Sequence, residues 1–376
     1  MKKIDRRQWL RGASLASMAT LVGGLAPVGA KNLVSPSFPA RPFPVDGPIR
    51  LSSNENPFGP SPKVRQAIQD AFHIACRYPS ASRDGLLAKI AAKEGVSPEH
   101  IVITSGSTEG LKVTGLTYGV DSGEIIAADP TFKALTSYAE QFGAHIHRVP
   151  VDKNLQHDLD AMEQRISNRT TLLFMCNPNN PTGALLPAND YMSFCKRVSK
   201  RTLVFSDEAY CDFITEPDYP SMTTLVKQGY NVIVSKTFSK VYGLAGLRIG
   251  YLVARPDIAA RLIQNRIAFT NVLALAAATT AIEEKEFYDF SLKKTMEAKA
   301  TIYTTLDEIG LEYIPSHGNF VFFKTGQDIQ KVNAGMKKRG VLVGRPFPPL
   351  NDWCRISTGT LEETQRFNEA LKDYFS

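Results

Sequence analysis

Six short runs of apolar residues constrain the fold of this 376-residue sequence more than any other feature. They read HIVITS, EIIAAD, TTLLFMCN, TLVFSD, NVIVSK and RIGYLVA, and they are rich in β-branched residues. Because nearly every position in a run is apolar, we expect strands that are buried on both faces, as in a largely parallel sheet. Helical patterns alternate with the runs, and the first of them, SPKVRQAIQDAFH, has Ser61 as a cap. The sequence therefore predicts an α/β fold.

The C-terminal third has a different pattern. After Pro256 the sequence predicts one long helical stretch to about Gly310. The last sixty residues contain three short strand patterns, NFVFFKT, VLVGR and CRISTGT, and a final helical pattern, LEETQRFNEALKDYF. We expect these elements to form a smaller α+β lobe.

The first thirty residues predict an export signal. MKKIDRRQWLRG is basic and contains the pair Arg6 and Arg7, a short apolar stretch follows, and the small residues VGA precede Lys31. The segment resembles a twin-arginine signal peptide, which implies export of a folded protein to the periplasm. An uncleaved anchor or an ordinary amphipathic helix are the alternatives.

Composition excludes several other classes of function. Much of the formal net charge of +7 lies in the first thirty residues, so the remainder is too mildly basic to predict nucleic-acid binding. No stretch is long and apolar enough to predict a stable membrane span. The five scattered cysteines include no CxxC pair, which argues against a disulfide framework and against a metal site.

Polar motifs follow several of the predicted strands, where open α/β sheets bind ligands. TSGSTEG would place Ser107 and Thr108 at a helix N-terminus, which suits an anion, although capping turns of this composition are common. NPNNPTG fixes a rigid turn in which Asn180 is either structural or a partner for a phenolate oxygen. SDEAY places Asp207 where a carboxylate either caps a helix or points into a cleft.

Two lysines, Lys236 and Lys240, lie four residues apart in SKTFSK, and either could be a solvated surface residue. Lys240 follows Ser239 directly and Thr237 by three residues, and Arg248 comes eight residues later. These residue types bind phosphate, and a lysine that forms a Schiff base needs a desolvated site that lowers its pKa. The spacing favours Lys240 as a cofactor anchor and Lys236 as a supporting or surface charge.

The motifs together require a ligand with a phosphate, a basic ring nitrogen, a phenolic oxygen and an aldehyde. Pyridoxal 5′-phosphate (PLP) carries all four groups. Asp207 would keep the ring nitrogen protonated, and Tyr210 would lie on the same side three residues later. Phe132, in DPTF, would either stack on the ring or pack in the core.

From about Leu51 to Thr360 the chain resembles the fold-type I PLP-dependent aminotransferases of class I/II, and among them the histidinol-phosphate aminotransferase-like group. The motifs that carry the resemblance are SSNENPFGPSP, RYPSASRDGLLAKIA, TSGSTEG, DPTF, NPNNPTG, SDEAY, TFSKVYGLAGLRIGY, NFVFF and CRISTGT. The resemblance implies the PLP-dependent transferase fold, with a large domain on a mostly parallel central sheet and a smaller α+β domain. The expected division is a signal peptide at 1–30, an N-terminal arm and part of the small domain at 31–75, the PLP-binding domain at 76–270 and the C-terminal small domain at 271–376.

The resemblance also implies a role for each candidate residue. Lys240 would form the Schiff base and move the proton, Asp207 would pair with the ring nitrogen, and Tyr210 with Asn180 would hold the phenolic oxygen. The remaining cofactor contacts would come from Ser107, Thr108, Glu109, Phe132, Thr237, Ser239 and Arg248. Tyr78 would reach the phosphate bound to a neighbouring subunit, which implies a homodimer. Asn56 and Arg355 would contact the substrate, with Arg355 on its anionic group.

Two departures from the family pattern stand out. Phe132 replaces the usual tyrosine and offers no hydroxyl. In VLVGRPFPPLNDWC, Arg345 comes one position later than the arginine of the histidinol-phosphate enzymes, which argues against a phosphorylated substrate. We therefore predict an aminotransferase that moves an amino group from an amino acid to a 2-oxo acid. The alternatives are a PLP-dependent lyase, racemase or decarboxylase on the same fold and, less favoured, an inactive binding protein.

Overall fold

This computed structural model describes residues 47–376, which contain a central sheet and smaller sheets near the C-terminus. The predicted signal peptide and most of the predicted arm lie outside the described residues. The strands are β1 (Ile49–Arg50), β2 (Ile101–Thr104), β3 (Glu124–Asp129), β4 (His145–Pro150), β5 (Thr170–Cys176), β6 (Leu203–Asp207), β7 (Val232–Thr237), β8 (Gly250–Val253), β9 (Tyr313–Ile314), β10 (Phe320–Lys324), β11 (Val341–Leu342) and β12 (Trp353–Ser357).

The central sheet contains β2 to β8 in the order β2-β8-β7-β6-β5-β3-β4. Its paired strands are parallel except for β8, which runs antiparallel to both of its neighbours. All six apolar runs form strands of this sheet, and residues of β5, β6 and β7 are almost completely buried. The predicted α/β fold with a mostly parallel sheet is therefore confirmed.

Strand β4 was not among the predicted strands. It lies at the edge of the sheet beside β3, and only Ile146 and Val149 among its residues are buried. An edge strand needs few apolar residues, so HIHRVP lacks the apolar run that marks the central strands.

Helices cover the sheet and the C-terminal elements. They are α1 (Pro62–Asp70), α2 (Ser80–Glu94), α3 (Ser107–Gly119), α4 (Ala134–Gln141), α5 (Leu159–Gln164), α6 (Ala188–Val198), α7 (Thr223–Lys227), α8 (Pro256–Gln264), α9 (Val272–Ala281), α10 (Lys285–Glu308), α11 (Ile329–Lys338) and α12 (Leu361–Phe375). Ser61 caps α1 by accepting a hydrogen bond from the backbone N–H of Val64, as its position predicts. None of the described helices is long and apolar enough to cross a bilayer.

The predicted single helical stretch after Pro256 is wrong, because α8, α9 and α10 are separate. Asn265 follows the end of α8, and the Asn271 side chain caps α9 by accepting from the N–H of Ala274. The asparagine side chain competes with the helical backbone for hydrogen bonds, so Asn271 starts a new helix inside a stretch that is otherwise helical in composition. The break between α9 and α10, at residues 282–284, contains no asparagine.

The C-terminal elements pack around a core of their own. Strands β12, β10 and β9 form an antiparallel sheet in that order, and β1 pairs in parallel with β11. Buried side chains such as Phe323, Ile356 and Phe367 fill this core. Because β1 belongs to it, the residues directly after β1 lead from the C-terminal elements toward the central sheet.

Candidate active site

A cavity of about 350 Å³ lies at the carboxyl-end edge of the central sheet. Strands β2, β3, β5, β6 and β7 run in the same direction, so the segments that follow them meet at this edge. The predicted site residues that line the cavity are Ser107, Thr108, Phe132, Asn180, Asp207, Tyr210, Ser239, Lys240, Arg248 and Arg355. The lining residues outside the predicted set are Ser53, Asn54, Glu55, Cys176, Ala209, Ala245 and Arg345.

The Lys240 amine is buried and holds its proton less tightly than an ordinary lysine does. Its Nζ donates a hydrogen bond to the backbone oxygen of Asn54 at 2.9 Å. Burial lowers the pKa of Lys240 to about 8, the positive charge of Arg355 acts in the same direction, and the charges of Glu55 and Asp207 oppose it. A lysine in this state can act as a nucleophile and as a proton carrier.

Lys236 differs from Lys240 in that its pKa is raised. Its Nζ lies 2.8 Å from Oε2 of Glu94 and 3.7 Å from Oε2 of Glu208, in a buried cluster. Burial acts to lower the pKa of Lys236, but the two carboxylates outweigh it and raise that pKa. Lys236 is therefore a permanently charged supporting residue.

Asp207 ends β6 with a buried carboxylate that takes one hydrogen bond, from the N–H of Ala209 at 3.3 Å. Burial raises the pKa of Asp207 to about 7, although the Ala209 N–H and the Lys240 charge oppose the shift. Within residues 47–376 no cationic side chain donates a hydrogen bond to this carboxylate. A protonated ring nitrogen would supply the missing cationic donor.

Tyr210 is held by two side-chain amides. Its hydroxyl oxygen accepts from Nδ2 of Asn180 at 3.2 Å and from Nδ2 of Asn54 at 3.0 Å. Arg355 joins the same network, because its Nη1 donates to Oδ1 of Asn180 at 2.6 Å and its Nη2 to the oxygen of Ser52 at 2.8 Å. The sequence analysis did not identify Asn54 as a site residue. Asn54 is the first residue of the motif NENP, but the family resemblance pointed to the second asparagine of that motif, Asn56.

Another part of the cavity wall carries hydroxyl groups and a guanidinium, and we call it the cup. Its residues are Ser107, Thr108, Ser239 and Arg248. Ser107 and Thr108 begin α3, and Nη2 of Arg248 lies 3.4 Å from Oγ1 of Thr108. Gly106 has φ +81°, and a Cβ there would collide with Arg248. Thr237 does not line the cavity, but its hydroxyl donates to Oγ of Ser239 at 2.9 Å. Hydroxyls, a helix N-terminus and an arginine suit a phosphate.

Besides Thr237, three predicted residues do not line the cavity: Glu109, Asn56 and Tyr78. The carboxylate of Glu109 accepts from the backbone N–H groups of Ile267 at 3.3 Å and Ala268 at 3.1 Å. Nδ2 of Asn56 donates to the oxygen of Val241 at 2.8 Å, so this amide holds the chain next to Lys240. The third, Tyr78, has 89% of its surface exposed.

These residues fit PLP as a set. The cup suits its phosphate, the Asp207 carboxylate its ring nitrogen, the Tyr210 and Asn180 pair its phenolic oxygen, and Lys240 its aldehyde. Phe132 also lines this cavity. The structure thus brings most of the residues predicted from the sequence together in one cavity, and their individual contacts with the cofactor stay predictions.

Comparisons with known proteins agree with this donor set. The family model for aminotransferase class I and II matches residues 46–371. The chain is 39% identical over 329 residues to histidinol-phosphate aminotransferase of Moorella thermoacetica, covering 86% of this chain and 85% of that protein. It is 37% identical over 351 residues to histidinol-phosphate aminotransferase 1 of Dechloromonas aromatica, covering 90% and 96%. The crystal structure of histidinol-phosphate aminotransferase from Sinorhizobium meliloti in complex with pyridoxal-5′-phosphate matches with a TM-score of 0.80 at 28% identity, covering 87% of this chain and 90% of that one.

Proposed function

We propose that Lys240 attaches the cofactor and carries the proton during amino-group transfer. The premise is that this chain belongs to the aminotransferase class I and II family and is a PLP-dependent aminotransferase. One observation carries the proposal: the Lys240 amine, with its lowered pKa, shares one cavity with the Asp207 carboxylate and the phosphate cup. When bound, PLP supplies an aldehyde that reacts with amines and a ring that withdraws electrons from the α-carbon of the substrate.

The protein's side chains then have separate tasks. Lys240 would take the proton from the substrate's α-carbon and deliver it to the cofactor carbon that had carried the aldehyde oxygen, and a pKa of about 8 suits both steps. The Asp207 carboxylate holds the ring nitrogen in its protonated form. Tyr210 and Asn180 hold the phenolic oxygen, so the ring keeps one orientation relative to Lys240.

Arg355 is the proposed holder of the substrate's α-carboxylate. It is buried, and Asn180 and Ser52 together use only part of its donor capacity. Its Nε has no hydrogen-bond partner among the described residues. A guanidinium with free N–H groups can bind a carboxylate in two-pronged fashion and so orient the bond to be broken.

Arg345 favours a second candidate substrate, a phosphorylated amino alcohol such as the one in the names of the relatives. It lines the cavity, and its guanidinium carbon lies 4.4 Å from the Phe347 ring, while that of Arg355 lies 4.9 Å from the same ring. The two cations could therefore contact different anionic groups of one substrate. We propose an amino acid as the donor and keep histidinol phosphate as the competing one.

A half-reaction assay tests the function and separates the donors. Single amino acids and histidinol phosphate are mixed with PLP-loaded protein in the absence of a 2-oxo acid, and conversion of the cofactor to its amine form is followed by absorbance. We expect conversion by an amino acid, reversed by a 2-oxo acid. An Arg345→Gln variant should lose activity mainly toward a phosphorylated donor. Failure of every donor, or turnover that never needs a 2-oxo acid, would contradict the proposal.

We propose further that the protein is a homodimer in which Tyr78 completes the phosphate cup of the other subunit. Tyr78, Phe269 and Ile267 are large exposed side chains, and the Tyr78 and Phe269 ring centroids are 6.4 Å apart. Glu109, which lies on α3 close to the cup, holds the backbone of Ile267. An apolar patch of this kind beside the cup favours contact with a second copy of the chain.

Mixing two defective variants tests the shared site. A Tyr78→Ala variant and a Lys240→Ala variant are each expected to have little activity. Heterodimers formed from them should regain activity, because one site then combines an intact Lys240 with an intact Tyr78 from the other chain. No recovery in a mixture that sedimentation shows to contain heterodimers would refute the shared site.

We also propose that residues 1–30 direct export by the twin-arginine route, so that the enzyme acts in the periplasm. The Arg6 and Arg7 pair before an apolar stretch supports this. An Arg6→Lys, Arg7→Lys double variant should stay in the cytoplasm, whereas the unaltered chain should be recovered from the periplasm with a new N-terminus near Lys31. An equal distribution of both proteins between the fractions would contradict export by this route.

A further inference from the structure

The hydroxyl of Tyr210 has both of its acceptor positions filled. A phenolic oxygen accepts at most two hydrogen bonds and donates one. Nδ2 of Asn54 and Nδ2 of Asn180 are the two donors, at 3.0 and 3.2 Å. No acceptor among the described residues takes the Tyr210 proton, and Tyr210 lines the catalytic cavity.

The orientation of each amide is fixed by its other end. Oδ1 of Asn180 accepts from Nη1 of Arg355, which can only donate. Oδ1 of Asn54 accepts from the hydroxyl of Ser357 at 2.8 Å, and that same hydroxyl accepts from the backbone N–H of Asn54 at 2.7 Å. The Ser357 hydroxyl thus accepts from the backbone of Asn54 and donates to its side-chain oxygen, an arrangement that leaves the NH₂ group of Asn54 facing Tyr210.

We propose that Asn54 is a positioning residue that, together with Asn180, directs the hydroxyl proton of Tyr210 into the cavity. The inference rests on the proposed function, because the acceptor of that proton is then the phenolic oxygen of PLP. A tyrosine whose proton has only this direction stabilises the ionised form of the phenolic oxygen. Asn54 thereby adjusts the protonation of the bound cofactor through Tyr210.

The backbone at Asn54 supports a dedicated role. Asn54 has φ 51°, in the left-handed region that asparagine and glycine tolerate better than other residues. Its side chain is buried, and its backbone oxygen accepts from Lys240. One residue thus contacts both Lys240 and Tyr210, although it lies far from them in the sequence.

The test is the pH at which the visible absorbance of bound PLP changes. In Asn54→Asp the carboxylate can accept the Tyr210 proton, so the phenolic oxygen loses its donor and the midpoint should rise by about one pH unit, which is about tenfold in proton affinity. The added negative charge also raises the midpoint, so the same substitution is made in a Tyr210→Phe background, where only the charge effect remains.

Two further variants complete the design. Ser357→Ala frees the Asn54 amide to turn its oxygen toward Tyr210. This variant should therefore raise the midpoint pH without adding charge. If Asn54→Asp binds PLP poorly, Ser357→Ala alone tests the inference. Asn319→Ala is the matched control, since this buried amide donates to the oxygen of Glu55 at 3.2 Å and does not contact Tyr210. Its midpoint should equal that of the wild type.

The outcomes separate this inference from the proposed function. A larger shift for Asn54→Asp with Tyr210 present than in the Tyr210→Phe background supports it. Equal shifts in both backgrounds, or an unchanged midpoint in Ser357→Ala, overturn it while the proposed function stands. A wild-type protein without any visible PLP absorbance overturns the proposed function and this inference with it.

Discussion

Replacing Lys236 by methionine should destabilise the protein by about 3–5 kcal/mol, because it leaves buried carboxylates without their cation. Glu94 and Glu208 are almost fully buried, and Lys236 lies 2.8 and 3.7 Å from them. Methionine fills most of the space of lysine, so the loss reports on charge and not on a cavity. Hydrogen bonds from Tyr251 to Glu94 and from Ser221 to Glu208 remain and limit the loss.

The sign of the pH dependence follows from the carboxylates. In the wild type burial already raises the pKa of Glu208, whereas for Glu94 the effect of burial is outweighed by Lys236 and Tyr251, which lower its pKa. Without Lys236 both pKa values should rise, so the folded variant should bind more protons than the unfolded one. The variant therefore loses stability as pH rises through those pKa values. In the wild type the raised pKa of Lys236 keeps its contribution intact across this range. The difference between the two proteins should grow from pH 5 to pH 8.

Urea unfolding of the PLP-free proteins, at one protein concentration, measures this difference. Lys89→Met is the matched control, because Lys89 pairs with the exposed Glu283 and should cost less than about 1 kcal/mol. A loss below about 1 kcal/mol for Lys236→Met at pH 8, or a loss that does not change with pH, would refute the assignment of Lys236 as a buried structural charge.

Two further predictions concern Asp207 and Gly243. Asp207→Asn should stabilise the PLP-free protein while weakening PLP binding. Because burial raises the pKa of Asp207 to about 7, the cost of burying its ionised carboxylate is absent near pH 4 and complete above pH 7. The free energy of unfolding in urea should therefore increase by roughly 2–4 kcal/mol above pH 7. A gain that is equal at pH 4 and pH 8 would contradict this. Gly243→Ala should cost more than about 1 kcal/mol in thermal unfolding, since φ is +72° and a Cβ would collide with the Gly59 backbone, whereas Gly246→Ala meets no atom and should cost little. Equal losses for the two glycines would show that the close approach is unimportant.

The sequence was most informative where a local pattern determines the structure. Runs such as TTLLFMC predict strands because nearly every position is apolar. Asp207 and Lys240 could be singled out because Asp207 ends such a strand and Lys240 comes three residues after the end of another. The edge strand β4 and the break between α8 and α9 were missed, because partial burial at an edge and a single asparagine cap leave weak patterns. The break between α9 and α10 was missed as well, since the three residues between these helices include neither proline nor glycine.

Contacts between distant segments could not be read from the sequence. Asn54 reaches Tyr210 and Lys240 only because β1 pairs with β11 and leads the chain over the cavity. Arg345 follows β11 in an irregular segment, and no local pattern shows that it faces the cavity. The role of Tyr78 depends on a second chain and stays a prediction.

Borohydride reduction of the PLP-loaded protein, followed by mass spectrometry of its peptides, tests the central claim most directly. The reduction fixes PLP on the lysine that carries it. We predict the label on Lys240 in the wild type and in Lys236→Met, and no label in Lys240→Ala. A label on Lys236, or a wild-type protein that binds PLP without any fixed label, would contradict the account.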